Sequence, residues 1–310
     1  MTMRYTSCLP AVLALLALGA GTRAEEEVDP YDQSKVPLEV EPTDPNAIKI
    51  VLVAGSKSHG PNDHEYFAGL ALLANMLRQT PNVFPVMARE GWPKNEKIFE
   101  GAKSIAFFSD GRAGHPIVKP GRMDILQKYI DQGAGWVNIH YAVDYPPAVG
   151  DRILTWMGGY YDVGCSVNPF WVADFKSIPE HPVTRGLKPF TARDEWYYNM
   201  RFCEGMKGVT PLLQAVPPDN TRGTADAKKY PGRAEIVAWA FERPNGGRSF
   251  GFTGGHSHKF FEEVNFRRII TNALLWTAKV EVPADGAKVD LDPKDLMRYL
   301  DDKGQKKKPK

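Results

Sequence analysis

Apolar residues along this chain fall either into short continuous runs or into stripes at helical spacing. Ile48-Lys-Ile-Val-Leu-Val-Ala54 is nearly all apolar and stops at Gly55, the pattern of a strand buried on both faces. Between residues 65 and 79, Phe67, Leu70, Leu73, Met76 and Leu77 recur with helical period. Residues 83–88 predict a second strand, and residues 104–109, running into Asp110-Gly111, a third. Met123, Leu126, Tyr129 and Ile130 predict a helix that stops near Gly133, and residues 135–139 a fourth strand ending at His140. Strands alternating with helices imply right-handed crossovers and a flavodoxin-like, doubly wound parallel sheet of the α/β class. The second half is less regular. Residues 160–175 and 190–200 are rich in aromatics and predict a β-rich insertion; residues 211–216, 235–241 and 248–253 predict three more strands, and residues 262–276 a last helix. Residues 217–233 read as a polar loop, and residues 280–310 as a weakly structured tail.

The N-terminal end follows other rules. Arg4 precedes the apolar run Leu9-Pro-Ala-Val-Leu-Ala-Leu-Leu-Ala-Leu-Gly-Ala20, and Thr22-Arg-Ala24 offers small residues three and one before a cut. The run is too short for a membrane span, so residues 1–24 are expected to be a signal peptide and the protein secreted or periplasmic. Residues 25–46 are acidic and proline-containing, an expected linker. A domain over residues 47–279 and a tail over 280–310 complete the organisation. Removing residues 1–24 takes away Arg4 and Arg23 and no acid, so 37 basic residues then face 37 acidic ones. A mature chain near neutrality is not expected to bind nucleic acid, or a membrane once the leader is gone. Only Cys165 and Cys203 remain, too few for a disulfide scaffold.

In an open α/β sheet, ligands sit beyond the carboxyl ends of the strands. After the first strand come His59, Asp63, His64 and Glu65; after the third, Asp110, Arg112 and His115; after the fourth, His140 and Asp144; after the last, His256 and His258. Six of the seven histidines thus fall at one end of the sheet. His115 and His181 each precede a proline and fit structural turns. His140 stands where a strand should hand over to a helix N-terminus, which disfavours an imidazolium and leaves a neutral ring able to act as base or ligand. His256-Ser-His258, in an extended segment, would point both rings the same way, toward a divalent metal such as zinc. A third ligand would come from His64, His140, Glu195 or a carboxylate near the first strand; alternatively one of the pair works as acid or base without metal. Asp194-Glu-Trp-Tyr-Tyr198 sets acids beside aromatics, which suits a sugar site or, equally, a core strand with its acids in water. No Gly-x-Gly-x-x-Gly follows the first strand and there is no Walker loop, so no nucleotide is expected.

Gly133-Ala-Gly-Trp-Val-Asn-Ile-His140 with Asp144, Trp156-Met-Gly-Gly159, His181-Pro-Val-Thr-Arg-Gly-Leu187, Asp194-Glu-Trp-Tyr197, Gly251-Phe-Thr-Gly-Gly-His256 and Asn272-Ala-Leu-Leu-Trp276 stand here in the order seen in the trehalose-utilisation (ThuA-like) family, which the chain resembles from about residue 48 to 278. The resemblance implies a class I glutamine amidotransferase-like fold and a small sugar, keto-sugar or glycoside as substrate. It also exposes a departure. The elbow that carries cysteine in true amidotransferases carries His140, so no acyl-enzyme can form there. A second departure is Asn168-Pro169 where the family often has His-Pro. The expected machinery is His140 and His256 as acid and base with Glu195; Asp110, Arg112, Asp144, Asp194, Trp196 and Tyr197 contacting sugar; and His64, His256 and His258 around a divalent metal. The competing expectation is a non-catalytic carbohydrate-binding module on the same scaffold.

Overall fold

The computed structural model describes Met1, Thr2 and residues 29–304; the rest of the expected signal peptide and residues 25–28 of the expected linker lie outside the described residues. A seven-stranded sheet forms the centre. It is built from β1 (Ile48–Ala54), β2 (Val83–Ala88), β3 (Ser104–Phe108), β4 (Gly135–Ile139), β9 (Val209–Ala215), β10 (Glu235–Glu242) and β11 (Arg248–Phe252), in the order β2-β1-β3-β4-β11-β10-β9. The first five in that order are mutually parallel. Numbered among themselves they run 2-1-3-4-5, the flavodoxin-like order, with its switch point between β1 and β3.

The parallel strands bury both faces, which is why they read as continuous apolar runs. Ile50, Leu52 and Ala54 join the core under α1 (Tyr66–Leu77) and α4 (Val264–Thr277), while Val51 and Val53 join the core under α2 (Arg122–Asp131) and α3 (Gly150–Met157). The expected doubly wound parallel sheet is present, and it carries an antiparallel edge whose direction the sequence did not assign: β10 pairs antiparallel with both β11 and β9. Only a short turn separates β10 from β11, and such a turn joins antiparallel neighbours, whereas a parallel pair needs a long crossover. The β-rich insertion is present as two small antiparallel pairs, β5 (Gly159–Tyr160) with β8 (Arg201–Phe202) and β6 (Phe170–Phe175) with β7 (Phe190–Glu195).

One correction concerns the elbow. No α-helix begins at His140. The chain leaves β4 through a left-handed His140 (φ 54°) into a single 3-10 turn, His140–Val143, and α3 starts only at Gly150. The loops after β3 and β4 pass so close that a Cβ on Gly111 would lie 2.3 Å from the Tyr141 carbonyl oxygen. The ends of the chain are also more tied down than their composition suggests. Residues 29–46 form turns but no helix or strand, and Val36 and Leu38 pack on the core. Among its described residues the tail has one short 3-10 helix, yet Val282, Ala287, Val289 and Leu296 are core residues.

Candidate metal centre

Four segments converge beyond the carboxyl ends of β1, β4 and β11. The β1–α1 loop brings His64, the elbow brings His140, and the Gly254-Gly255 turn brings His256. The insertion supplies Glu195 from the end of β7. One nitrogen of each histidine and one oxygen of Glu195 lie within 4.8 Å of one another. His64 Nε2 is 3.1 Å from His140 Nε2 and 2.9 Å from His256 Nδ1; Glu195 Oε2 is 3.0 Å from His256 Nδ1 and 3.6 Å from His140 Nε2. Metal–nitrogen bonds of 2.0–2.1 Å in a tetrahedron give ligand–ligand edges of about 3.3 Å. The four measured edges straddle that value, so the donor set fits a first-row divalent ion held by imidazole and carboxylate.

Hydrogen-bond directions strengthen the fit. His140 Nδ1 lies 2.8 Å from the Thr253 carbonyl oxygen, which can only accept, so that nitrogen carries the proton and Nε2 presents a lone pair. His64 Nδ1 lies 2.6 Å from the Tyr66 hydroxyl, which itself donates to Asp110 Oδ1 at 2.7 Å. The Tyr66 oxygen therefore accepts from His64 Nδ1, and His64 Nε2 also presents a lone pair. Two imidazole lone pairs face each other across 3.1 Å, an arrangement that a shared cation stabilises. Such outer partners, a backbone carbonyl for one ring and a Tyr–Asp relay for the other, are what orient metal-binding histidines. The other Glu195 oxygen accepts from Asn168 Nδ2 at 3.0 Å, and Asp194 Oδ2 accepts from the amides of Gly255 and His256.

The electrostatics separate the three rings. Burial holds His64 down to about 4, and burial together with His64 holds His140 well below its ordinary value. Burial also opposes charge on His256, but the adjoining Glu195 carboxylate, with Asp63 and Asp194, raises it above normal. His256 Nε2 faces Asp63 Oδ2 at 3.6 Å. At the rim lie exposed His59, its ring tilted over that of His64 with centroids 3.6 Å apart, and exposed Phe170, its ring 4.8 Å from that of His256. Arg112 also lies there, its Nε donating to Asp144 Oδ2 at 2.8 Å. Burial pushes Asp144 up to about 7 despite that arginine.

Among the residues singled out by sequence, His64, His140, His256 and Glu195 come together. Tyr197 lies beside them, its hydroxyl 3.4 Å from His140 Nε2, and Asp110 reaches them through Tyr66. Three need correction. His258 is not at the centre: the extended segment ends before it, His258 opens a 3-10 turn, and its Nε2 bonds the Leu296 carbonyl at 2.7 Å. Trp196 is fully buried against Phe175, Phe252 and Phe260, with Nε1 donating to the Ala192 carbonyl, so it is core and not a sugar platform. Asp194 is buried and its carboxylate braces the His256 turn, leaving it no approach to sugar. Asp63, Tyr66 and Asn168 carry roles the pattern did not assign. Tyr66 reads as one more apolar position of α1, and the Asn168 departure was the one signal that something differs near Glu195. His115 and His181 are structural as expected: each accepts a backbone N–H, from Ile117 and Val183. Cys165 and Cys203 are free thiols.

Solved structures share this fold. A putative ThuA-like protein from Parabacteroides merdae aligns with a TM-score of 0.53 at 19% identity, over 81% of this chain and 99% of that one. A putative ThuA-like protein from Bacteroides uniformis aligns with a TM-score of 0.53 at 17% identity, over 77% and 94%. No curated protein matches the sequence. The family model described as ThuA, trehalose utilisation, matches residues 50–277. That span is well over half of the sequence, and the chain belongs to the ThuA family.

Proposed function

We propose that this protein binds a divalent transition metal, zinc in the first instance, through His64 Nε2, His140 Nε2, His256 Nδ1 and Glu195 Oε2, and that it acts there on a small sugar, keto-sugar or glycoside by acid/base chemistry. The observation that carries the reading is the pair of opposed lone pairs on His64 and His140. When bound, such a metal supplies Lewis acidity toward a carbonyl or hydroxyl oxygen. The chain's own residues do the rest. Asp63, half exposed beside His256 Nε2, is placed to orient that ring for the metal and to exchange a proton directly with substrate. Arg112 offers its outer guanidinium nitrogens to an anionic or hydroxyl group, and the exposed ring of Phe170 offers an apolar face for sugar C–H groups. His140 at the elbow cannot form an acyl-enzyme, so amide hydrolysis by a covalent route is not part of the reading. The signal peptide expected over residues 1–24 is consistent with action outside the cytoplasm.

One observation favours a second reading, a carbohydrate-binding module with a structural metal: four protein donors already complete a tetrahedron, as closed structural sites do. The test is a panel of keto-sugars and glycosides offered to metal-loaded and chelator-treated protein in D2O, followed by NMR. Deuterium uptake beside a carbonyl, or glycoside cleavage, that depends on metal supports the enzyme. Sugar binding by calorimetry that survives His140→Ala with His256→Ala, without turnover, supports the module. Turnover indifferent to metal removal contradicts the proposal.

A further inference from the structure

The loop that presents His64 is gripped by the end of the chain. Asp301 N donates to Glu65 Oε2 at 2.7 Å, and Lys303 Nζ lies 3.1 Å from Glu65 Oε1. The same ammonium donates to the carbonyls of Asp63 and His64. The two side chains of this pair are 3% and 1% exposed. Glu65 also accepts from Asn62 N at 3.1 Å, so one carboxylate ties the tail to both sides of the ligand. The tail is in turn anchored. His258 Nε2 donates to the Leu296 carbonyl, Leu300 N donates to the Pro30 carbonyl at 2.9 Å, and Gln33 Nε2 donates to the Tyr299 carbonyl and to Asp301 Oδ1, both at 3.0 Å. The second histidine of the His-x-His pair thus holds the strap while the first faces the metal centre.

The loop needs holding. Between β1 and α1 it has one isolated bridge, Asp63 with Ser257, and three left-handed non-glycine residues, His59, Asn62 and His64. Such conformations persist only where the surroundings over-determine them. A carboxylate and an ammonium buried this deeply are stable only as a fully satisfied pair, and removing one leaves the other uncompensated. Here the uncompensated charge would sit one residue from His64.

We propose that residues 296–303 are a strap that sets the position of His64 in the metal centre, with Lys303 as its positioning residue; the inference rests on the metal reading above. It is tested by titrating chelator-treated protein with cobalt(II) and following the d–d absorption, which reports ligand geometry. Lys303→Met is expected to bind cobalt about 10- to 100-fold more weakly, with an altered band, as loss of an outer partner does. Lys303→Arg, which keeps the charge, is expected to retain most of the affinity, and a chain ended after Gly304 all of it. Wild-type affinity in Lys303→Met overturns the strap. If Lys303→Met does not fold, Glu65→Gln with Lys303→Met leaves no unpaired charge; weaker cobalt binding in it supports the strap, and unchanged binding overturns it. If the wild type takes up no cobalt, the metal reading fails by itself. Amide exchange over residues 58–66 then decides: faster exchange in Lys303→Met supports the strap, and unchanged exchange overturns it.

Discussion

His140 and His115 are both wholly buried, both stand on loops beyond the carboxyl ends of adjacent strands, and both bond a backbone carbonyl. They differ in the second nitrogen. His115 Nε2 donates to the Ala142 carbonyl of the neighbouring elbow turn at 3.1 Å, and its Nδ1 accepts from Ile117 N at 3.3 Å, so both nitrogens are used by backbone groups. His140 spends one nitrogen on the Thr253 carbonyl and turns the other toward His64 and Glu195. Burial alone therefore does not mark a ligand. What marks it is a lone pair left over after the first hydrogen bond, aimed at others of its kind.

The sharpest way to break this comparison is to remove each ring in turn. His64→Ala or His140→Ala is expected to weaken metal binding by more than ~100-fold, since losing even an outer partner costs 10- to 100-fold. His115→Phe and His258→Gln are expected to leave metal stoichiometry unchanged, by elemental analysis of the purified variants.

Stability against pH separates the two rings differently. Burial holds His115 down to about 3, so its neutral form is favoured in the fold. Its contribution is complete above the unfolded value near 6.5 and is lost as pH falls from there toward 3. The linkage amounts to about 5 kcal/mol at most. Urea unfolding between pH 7 and 4 is expected to show a shallower loss for His115→Phe than for the wild type.

Asp144 runs the other way. With its folded value raised to about 7, the folded state binds more protons between about pH 4 and 7, so stability falls as pH rises through that window and levels off above it. Asp144→Asn removes the slope and is expected to raise stability at pH 8 by about 2 kcal/mol, less than the full shift because Arg112 loses its partner. An unaltered slope would show that Asp144 is not the group responsible. The smallest effect is expected from Asn168→Ala, which frees one Glu195 oxygen: about tenfold weaker metal binding with an unchanged melting temperature.

Most of the fold was legible in the sequence because hydrophobic runs report burial directly. The ranges expected for β2 and β4 coincide with the observed strands, and α1 is shorter than its expected range by one residue at the start and two at the end. The antiparallel edge was not legible, since a short apolar run carries no direction; the turn between β10 and β11 decides it. In the site, strand ends placed His64, His140 and His256 at one end of the sheet, and Glu195 stood out only as a carboxylate among aromatics. The assumption of an extended His256-Ser-His258 failed because backbone conformation at two residues is not encoded in their identity. Trp196 and Asp194 failed because an aromatic beside an acid reads alike in a core and in a cleft. The grip of Lys303 on Glu65 joins residues far apart in sequence, and charge pattern along one segment cannot reveal it.

The metal is tested most directly by elemental analysis of residues 25–310, expressed without the expected leader, beside His140→Ala. About one divalent ion per wild-type chain and none in the variant is the predicted result. Wild-type protein without metal after exposure to zinc, manganese, cobalt and nickel, or equal metal in His140→Ala, would contradict the account.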